Sequence, residues 1–371
     1  MYYPEKLTIA RKRRGLTKVK LAEQAGISTR TLSTYENPDL IDSIQEDTLA
    51  KLADALKYPV NFFYEGLSST VTSDAVSFRA MSKLSSMLRD SALSAGDLAV
   101  ILNNWMEEIF DIPLTDLPDY SKDQRIDPEQ AAISLRQELG IGELSISNII
   151  HLIESRGVRV FSLSENCIEV DAFSFWQDGK AFMLLNTFKT PERSRFDAAH
   201  ELGHLILHKQ IPSDRKQAEV EADQFASAFL MPMNSVLSRI PITPTFQHLD
   251  ALKKNWKVSL AALVKRIHDL KLTTEWQNRS LNIELSKRGY RKAEPNSSFE
   301  KNERETSLLL KQTLDYIHKN NMTGIEISNK LGIPLDELSN LTFRHPLFMT
   351  VIKGENKAVH SRKNNILRVV D

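Results

Sequence analysis

A mainly α-helical chain with one small β-sheet is predicted, on three observations. Apolar residues recur at helical spacing through the first 66 residues and again beyond residue 245. Strand-like runs are confined to VRVFSL, EVDAFSFW and KAFMLLN, between residues 158 and 186. At 371 residues the chain exceeds a typical domain of about 150, so two or more units are expected. Hydrophobic residues at 41% and charged residues at 26% fit packed cores and exclude wholesale disorder. The 48 basic residues balance the 48 acidic ones, so any attraction to nucleic acid must be local.

The first 66 residues contain such an imbalance. Residues 1–35 carry eight Lys and Arg against Glu5 and Glu23, a net +6, whereas residues 36–66 are acidic. Helices are predicted over Glu5–Arg14, Lys18–Ala25, Thr29–Tyr35 and Glu46–Leu56, with Thr17 and Ser28 as N-caps and Gly26 ending the second. The helix, tight turn and helix of LTKVKLAEQAGISTRTLSTYEN would be held by Leu21, Ala22, Ile27 and Leu32. Thr29, Arg30, Ser33 and Thr34 would then face outward, able to reach base edges and phosphates of a double-stranded operator. Lys18, Lys20 and Arg11 to Arg14 would neutralise backbone charge.

From about Leu7 to Tyr64 the segment resembles the Xre (Cro/cI-type) helix-turn-helix family. The likeness rests on Leu21, Ala22, Ala25, Gly26, Ile27, Ser28, Thr31, Leu32, Tyr35, Glu36, Leu49 and Leu52 to Leu56. Lys18 stands where that family frequently has Gln. The resemblance implies five helices and sequence-specific DNA binding.

Residues 67–124 open on the polar LSSTVTSD, read as a linker, and turn helical near Met81 to Phe110. PEQAAISLRQELG and SISNIIHLIESRG follow as helices, the first with Pro128 in its first turn and the second ending on Gly157. The three strands come next, with a turn at Gln177, Asp178 and Gly179. Two helices, roughly Arg193–Lys209 and Arg215–Leu230, are closed by Pro232.

His200-Glu201-Leu202-Gly203-His204 is an H-E-x-x-H pattern within an amphipathic helix. Positions four apart on a helix differ by about 40°, so both imidazoles leave one face as a ready pair of Zn²⁺ ligands. Glu201, beside them, is placed to act as the catalytic base. On the next helix Glu219 and Asp223 share a face, whereas Glu221 is turned by about 200° from Glu219. Glu219 is therefore the third metal ligand expected, and Asp223 the carboxylate that orients a ligand histidine. His208 lies four residues after His204. On a straight helix it sits a further turn of about 5.4 Å along, as a substrate-side or hydrogen-bonding histidine. Arg193 and Arg195 are read as carboxylate-binding or solvated.

RSRFDAAHELGHLILH and EVEADQFASAFLMP resemble the hallmarks of the ImmA/IrrE family of zinc metallopeptidases, over about residues 125–290. The likeness extends to PEQAA, SISNIIHLIESRGV, WKVSLAALVKR and SKRGYRKAEP. The resemblance implies a gluzincin-like α+β core with a small sheet packed on the motif helix. It also implies action on Xre-type repressors.

Residues 291–371 read as a helical C-terminal region. Within it TGIEISNKLGIPLDELSNL looks like a second helix-turn-helix but bears Asp336 and Glu337 where basic residues would help, so packing or dimerisation is expected of it. A homodimer is a candidate assembly. The sole cysteine, Cys167, excludes an intrachain disulfide and Cys-based zinc fingers. The opening MYYPEKLTIARKRRG has no apolar core of a signal peptide, and no run of about 18 apolar residues occurs, so a cytoplasmic location without a membrane partner is expected. The reading divides the chain at 1–66, 67–124, 125–290 and 291–371. The function expected is that of a DNA-binding transcriptional regulator with a zinc-dependent endopeptidase domain that cuts a repressor-type protein or the product of a neighbouring gene. The alternative is a repressor or antitoxin-like protein whose peptidase-like domain only senses or binds a partner.

Overall fold

The structure is a computed structural model and describes residues 1–40, 43–64, 71, 85–122, 126–163, 169–209, 214–291, 294, 296–299, 304–349 and 368–369. Cys167, nearly all of the predicted linker LSSTVTSD and most of the C-terminal SRKNNILRVVD lie outside them.

The N-terminal unit comprises α1 (Pro4–Arg13), α2 (Lys18–Ala25), α3 (Thr29–Tyr35) and α4 (Glu46–Leu56), then a 3-10 turn over Val60–Tyr64 in place of a fifth α-helix. Its local chemistry follows the sequence. Thr17 Oγ1 accepts the Lys20 amide, Ser28 Oγ accepts that of Thr31, and Gly26 turns the chain between α2 and α3 at φ 65°.

The helix α5 (Ser86–Glu107) follows, and from Ser91 to Met106 nearly every residue is buried. A helix apolar all round must be covered all round. Its short side chains, Ser91, Ala92, Ser94, Ala95 and Gly96, permit that close approach; a Cβ on Gly96 would lie 3.3 Å from the Phe175 ring.

The middle of the chain contributes α6 (Pro128–Glu138), α7 (Ile149–Glu154), β1 (Arg159–Leu163), β2 (Ala172–Gln177), β3 (Lys180–Asn186), α8 (Pro191–Leu207) and α9 (Arg215–Leu230). Then come the short α10 (Met233–Leu237) and α11 (Phe246–Leu252), α12 (Leu260–Asp269) and α13 (Glu275–Lys287). The strand order is β1-β3-β2, with β1 parallel and β2 antiparallel to β3. Asp178 and Gly179, both at positive φ, make the two-residue turn that joins β2 to β3.

Both faces of this sheet are covered. Val160, Ala172, Ala181, Met183 and Leu185 alternate onto one face, where they join a core with α6, α8, α9 and α12. Phe161, Leu163, Phe173, Phe175, Phe182 and Leu184 alternate onto the other, whose core includes α1, α2, α4, α5 and the C-terminal helices α14 (Leu308–Lys319), α15 (Gly324–Leu331) and α16 (Leu335–Leu341). The C-terminal region thus packs within its own chain against the N-terminal unit. At Gly332, where φ is 64°, a Cβ would lie 2.6 Å from the Phe62 backbone nitrogen, so the two units meet backbone to backbone.

This docking corrects one expectation about charge: most of the arginine run of α1 is turned inward. Arg11 pairs with Glu36 at 2.5 Å, and Arg13, nearly fully buried, with Glu337 at 2.7 Å. Arg14 reaches Asp336 at 2.8 Å and Glu337 at 3.1 Å, and Lys12 lies 3.3 Å from Asp90. The acidic residues that deny α15 and α16 a basic surface are the partners of α1. Among the described residues, no helix is long and apolar enough to cross a membrane.

Candidate metal centre and nucleic-acid interface

Thr190 caps α8 and Pro191 occupies its first turn, so the helix starts at a defined residue and its histidines fall at fixed angles. The Trp176 indole donates to the Leu205 carbonyl at 3.2 Å and fastens α8 to β2. Close approach of α9 depends on Gly203, where a Cβ would lie 3.0 Å from the Phe225 ring and 3.3 Å from Ala222 Cα. The glycine within the motif thereby admits the helix that carries Glu219.

His200 and His204 both point Nε2 into the gap between the helices, 3.1 Å apart. Glu219 bridges them, its Oε2 lying 3.4 Å from His200 Nε2 and its Oε1 3.4 Å from His204 Nε2. For a tetrahedral cation with bonds of about 2.0–2.1 Å, neighbouring donors sit about 3.3 Å apart; the two imidazole nitrogens are near that spacing, and the three side chains offer ligand atoms within 4.8 Å of one another. The charges agree with that grouping. Burial pulls the His200 pKa down, yet its hydrogen bonds to Asp223 and Glu219 overcome it and raise it to about 10. Burial pushes Glu219 up, and its bonds to His200 and His204 hold it well below the usual carboxylate range instead. The centre calls for positive charge.

Each imidazole is anchored through its other nitrogen. His200 Nδ1 is 3.0 Å from Asp223 Oδ1. His204 Nδ1 is 3.0 Å from His208 Nδ1, and His208 Nε2 is 2.9 Å from Glu221 Oε2. The substrate-side option for His208 is set aside, because its ring meets the outer nitrogen of His204 and is not among the side chains lining the cavity. The straight-helix assumption fails at Leu207: α8 ends there, and His208 leaves helical geometry at φ −125° and ψ 36°. Burial lowers the His208 pKa, against the bond to Glu221.

Glu201 is 3% exposed, and Ser174 Oγ donates to its Oε2 at 2.7 Å. Ser174 was not anticipated. The alternation of AFSFWQ held the signal, since Ser174 shares the α8-facing side of β2 with Ala172 and Trp176. His200, Glu201, His204 and Glu219 open on a cavity of about 1120 Å³ whose walls include Arg193, Lys265, His268 and Tyr290. The last three add side-chain donors that sequence reasoning did not single out. Arg193 bonds Asp197 at 3.2 Å and Asp171 at 3.0 Å. Arg195 is buried and structural, held by Glu305 and the Ile146 carbonyl.

At the N-terminal unit, Leu21, Ala22 and Leu32 are buried, which turns Thr29 and Arg30 to solvent and leaves Ser33 and Thr34 partly exposed. Lys20 is exposed, and Lys18 Nζ lies 3.3 Å from Glu36. Thr34 Oγ1 donates to the Arg30 carbonyl at 3.2 Å.

Residues 7–63 match the helix-turn-helix family, and residues 153–268 match the IrrE N-terminal-like domain. The chain carries these two domains in that order. No curated protein matches it.

Proposed function

We propose that this chain is a DNA-binding transcriptional regulator whose second module is a zinc-dependent endopeptidase that cuts a repressor-type protein or a neighbouring gene product. The observation that carries the reading is the convergence of His200, His204 and Glu219 on one point beside the Glu201 carboxylate, at the wall of a large cavity. His200, His204 and Glu219 would hold the ion, and Asp223 would fix the tautomer of His200. Bound there, zinc would supply Lewis acidity toward a water and a scissile carbonyl.

The chain's own groups account for the proton. Glu201, held by Ser174, takes a proton from the attacking water as its oxygen bonds the carbonyl carbon. It returns that proton to the amide nitrogen as the C–N bond breaks. A carboxylate in this position adds nothing to simple metal retention, which favours catalysis over a sensing role.

Metal analysis of purified protein tests the centre. One zinc per chain is expected for the wild type, almost none for His204→Ala, and full content for Glu221→Gln. Full content in His204→Ala would remove the assignment.

For the DNA module, α3 is the reading helix, with Thr29, Arg30, Ser33 and Thr34 facing the groove and Lys18 near its edge. Because the α1 arginines are engaged internally, Lys20, Arg30 and Lys18, whose contact with Glu36 leaves its side chain 42% exposed, remain for phosphates on this face. Each neutralised phosphate contributes about −0.9 to the slope of log affinity against log salt, so a slope of about −3 per chain is expected. Arg30→Ala reduces that slope by about 1 if it meets a phosphate, or relaxes discrimination between sites if it meets a base. Salt-independent binding to a genomic operator library would contradict this interface.

A further inference from the structure

We propose that His208 and Glu221 form a carboxylate–histidine relay that fixes the tautomer and ring plane of His204, making both of them positioning residues of the metal centre. The proposal rests on the reading of His204 as a ligand through Nε2.

The hydrogen-bond polarity follows from that one premise. A neutral imidazole that offers Nε2 as a lone pair carries its proton on Nδ1. His204 Nδ1–H therefore donates across 3.0 Å to His208 Nδ1. That nitrogen is then the acceptor, so the His208 proton sits on Nε2 and donates across 2.9 Å to Glu221 Oε2. The other Glu221 oxygen accepts from Gln217 Nε2 at 3.0 Å. Every donor in the chain meets an acceptor and the direction is unique.

The two ligand histidines are thus served by one helix in two ways. Asp223 reaches His200 directly, at 3.0 Å. Glu221, two residues before Asp223 and two after Glu219, leaves α9 in a different direction and reaches His204 only through an intervening ring. His208 is the C-cap of α8, at φ −125° and ψ 36°, and its ring lies against that of His204. Its side chain is 8% exposed, so the surrounding packing limits other orientations. In this arrangement the three acids of EVEAD hold three separate posts: Glu219 at the ion, Asp223 behind His200, and Glu221 behind His208.

The test is the zinc affinity of the full chain, titrated with zinc ion alone against a chromophoric chelator. Outer-sphere anchors of this kind are worth about 10- to 100-fold in metal affinity, and His208→Ala is expected to lose that much. His208→Gln should stay within a few-fold of wild type, because its amide oxygen can accept from His204 while its NH₂ donates to Glu221. Glu221→Ala should weaken binding about tenfold in the wild-type background and not at all in the His208→Ala background, since its effect passes through that ring. A purely structural role does not produce that dependence. Unchanged affinity in His208→Ala, a Gln variant as weak as the Ala one, or additive losses in the double variant would overturn the relay. Should metal-free His208→Ala melt early, the Gln and Glu221→Ala arms decide. Binding lost in His204→Ala but intact in His208→Ala overturns the relay alone. Binding intact in His204→Ala overturns the reading of the centre and the relay with it.

Discussion

Glu201→Gln is expected to slow proteolysis by about 10² to 10⁴ while leaving zinc content and operator binding at wild-type levels. The proposed ion-binding donors are His200, His204 and Glu219, so exchange of one Glu201 oxygen for an amide leaves them intact. The new side chain has the same shape and keeps an atom that can bond Ser174 Oγ, so the local packing of α8 on β2 is preserved. What is lost is the group proposed to take the proton of the attacking water. Single-turnover cleavage of a purified repressor substrate at saturating zinc measures the loss. Equal rates for wild type and variant would assign proton transfer to another group or deny catalysis altogether.

The second large effect is on stability. Glu337→Ala is expected to destabilise the folded chain by about 3–5 kcal/mol, because it strips the buried Arg13 guanidinium of its carboxylate partner. Arg13 and Glu337 side chains are 1% and 3% exposed, so water cannot replace the lost partner without opening the interface between α1 and α16. Asp336→Ala is the control. Its carboxylate is 57% exposed and should cost less than about 1 kcal/mol, as solvent-screened pairs do. Replacing both members of the buried pair, Arg13→Met with Glu337→Leu, should recover most of the loss. Urea unfolding followed by tryptophan fluorescence reads all three. Equal losses for the Ala variants at 336 and 337 would deny the buried pair its role.

The clustering of His200, His204 and Glu219 was largely legible because its information is local. The four-residue spacing of His200 and His204 and the four-residue spacing of Glu219 and Asp223 each fix a helix face without reference to the rest of the chain. The His208–Glu221 contact was not legible. Nothing in LILHK marks the end of α8 at Leu207, where no glycine or proline stands, so the direction of His208 is set by packing against α9.

Long-range charge pairing escaped for a related reason. Arg13 and Glu337 are 324 positions apart, and a local count of charge assigns them opposite roles when they neutralise each other. The double covering of the sheet did leave a trace in FMLL of β3. A strand apolar at consecutive positions is apolar on both faces, and both faces then need a partner. Helical periodicity in the first 66 residues located α1 to α4 but carried no sign that α14 to α16 would share their core.

Detection of a cleaved protein tests the central claim most directly. The full chain, wild type or Glu201→Gln, is co-expressed with each neighbouring gene product and each Xre-type repressor of the same genome, with and without a zinc chelator, and new termini are read by mass spectrometry. A fragment that forms with the wild type, and is lost both with Glu201→Gln and on chelation, is the predicted result. Identical termini in all arms, from a protein that retains one zinc per chain, would contradict a peptidase and leave a metal-binding partner module in its place.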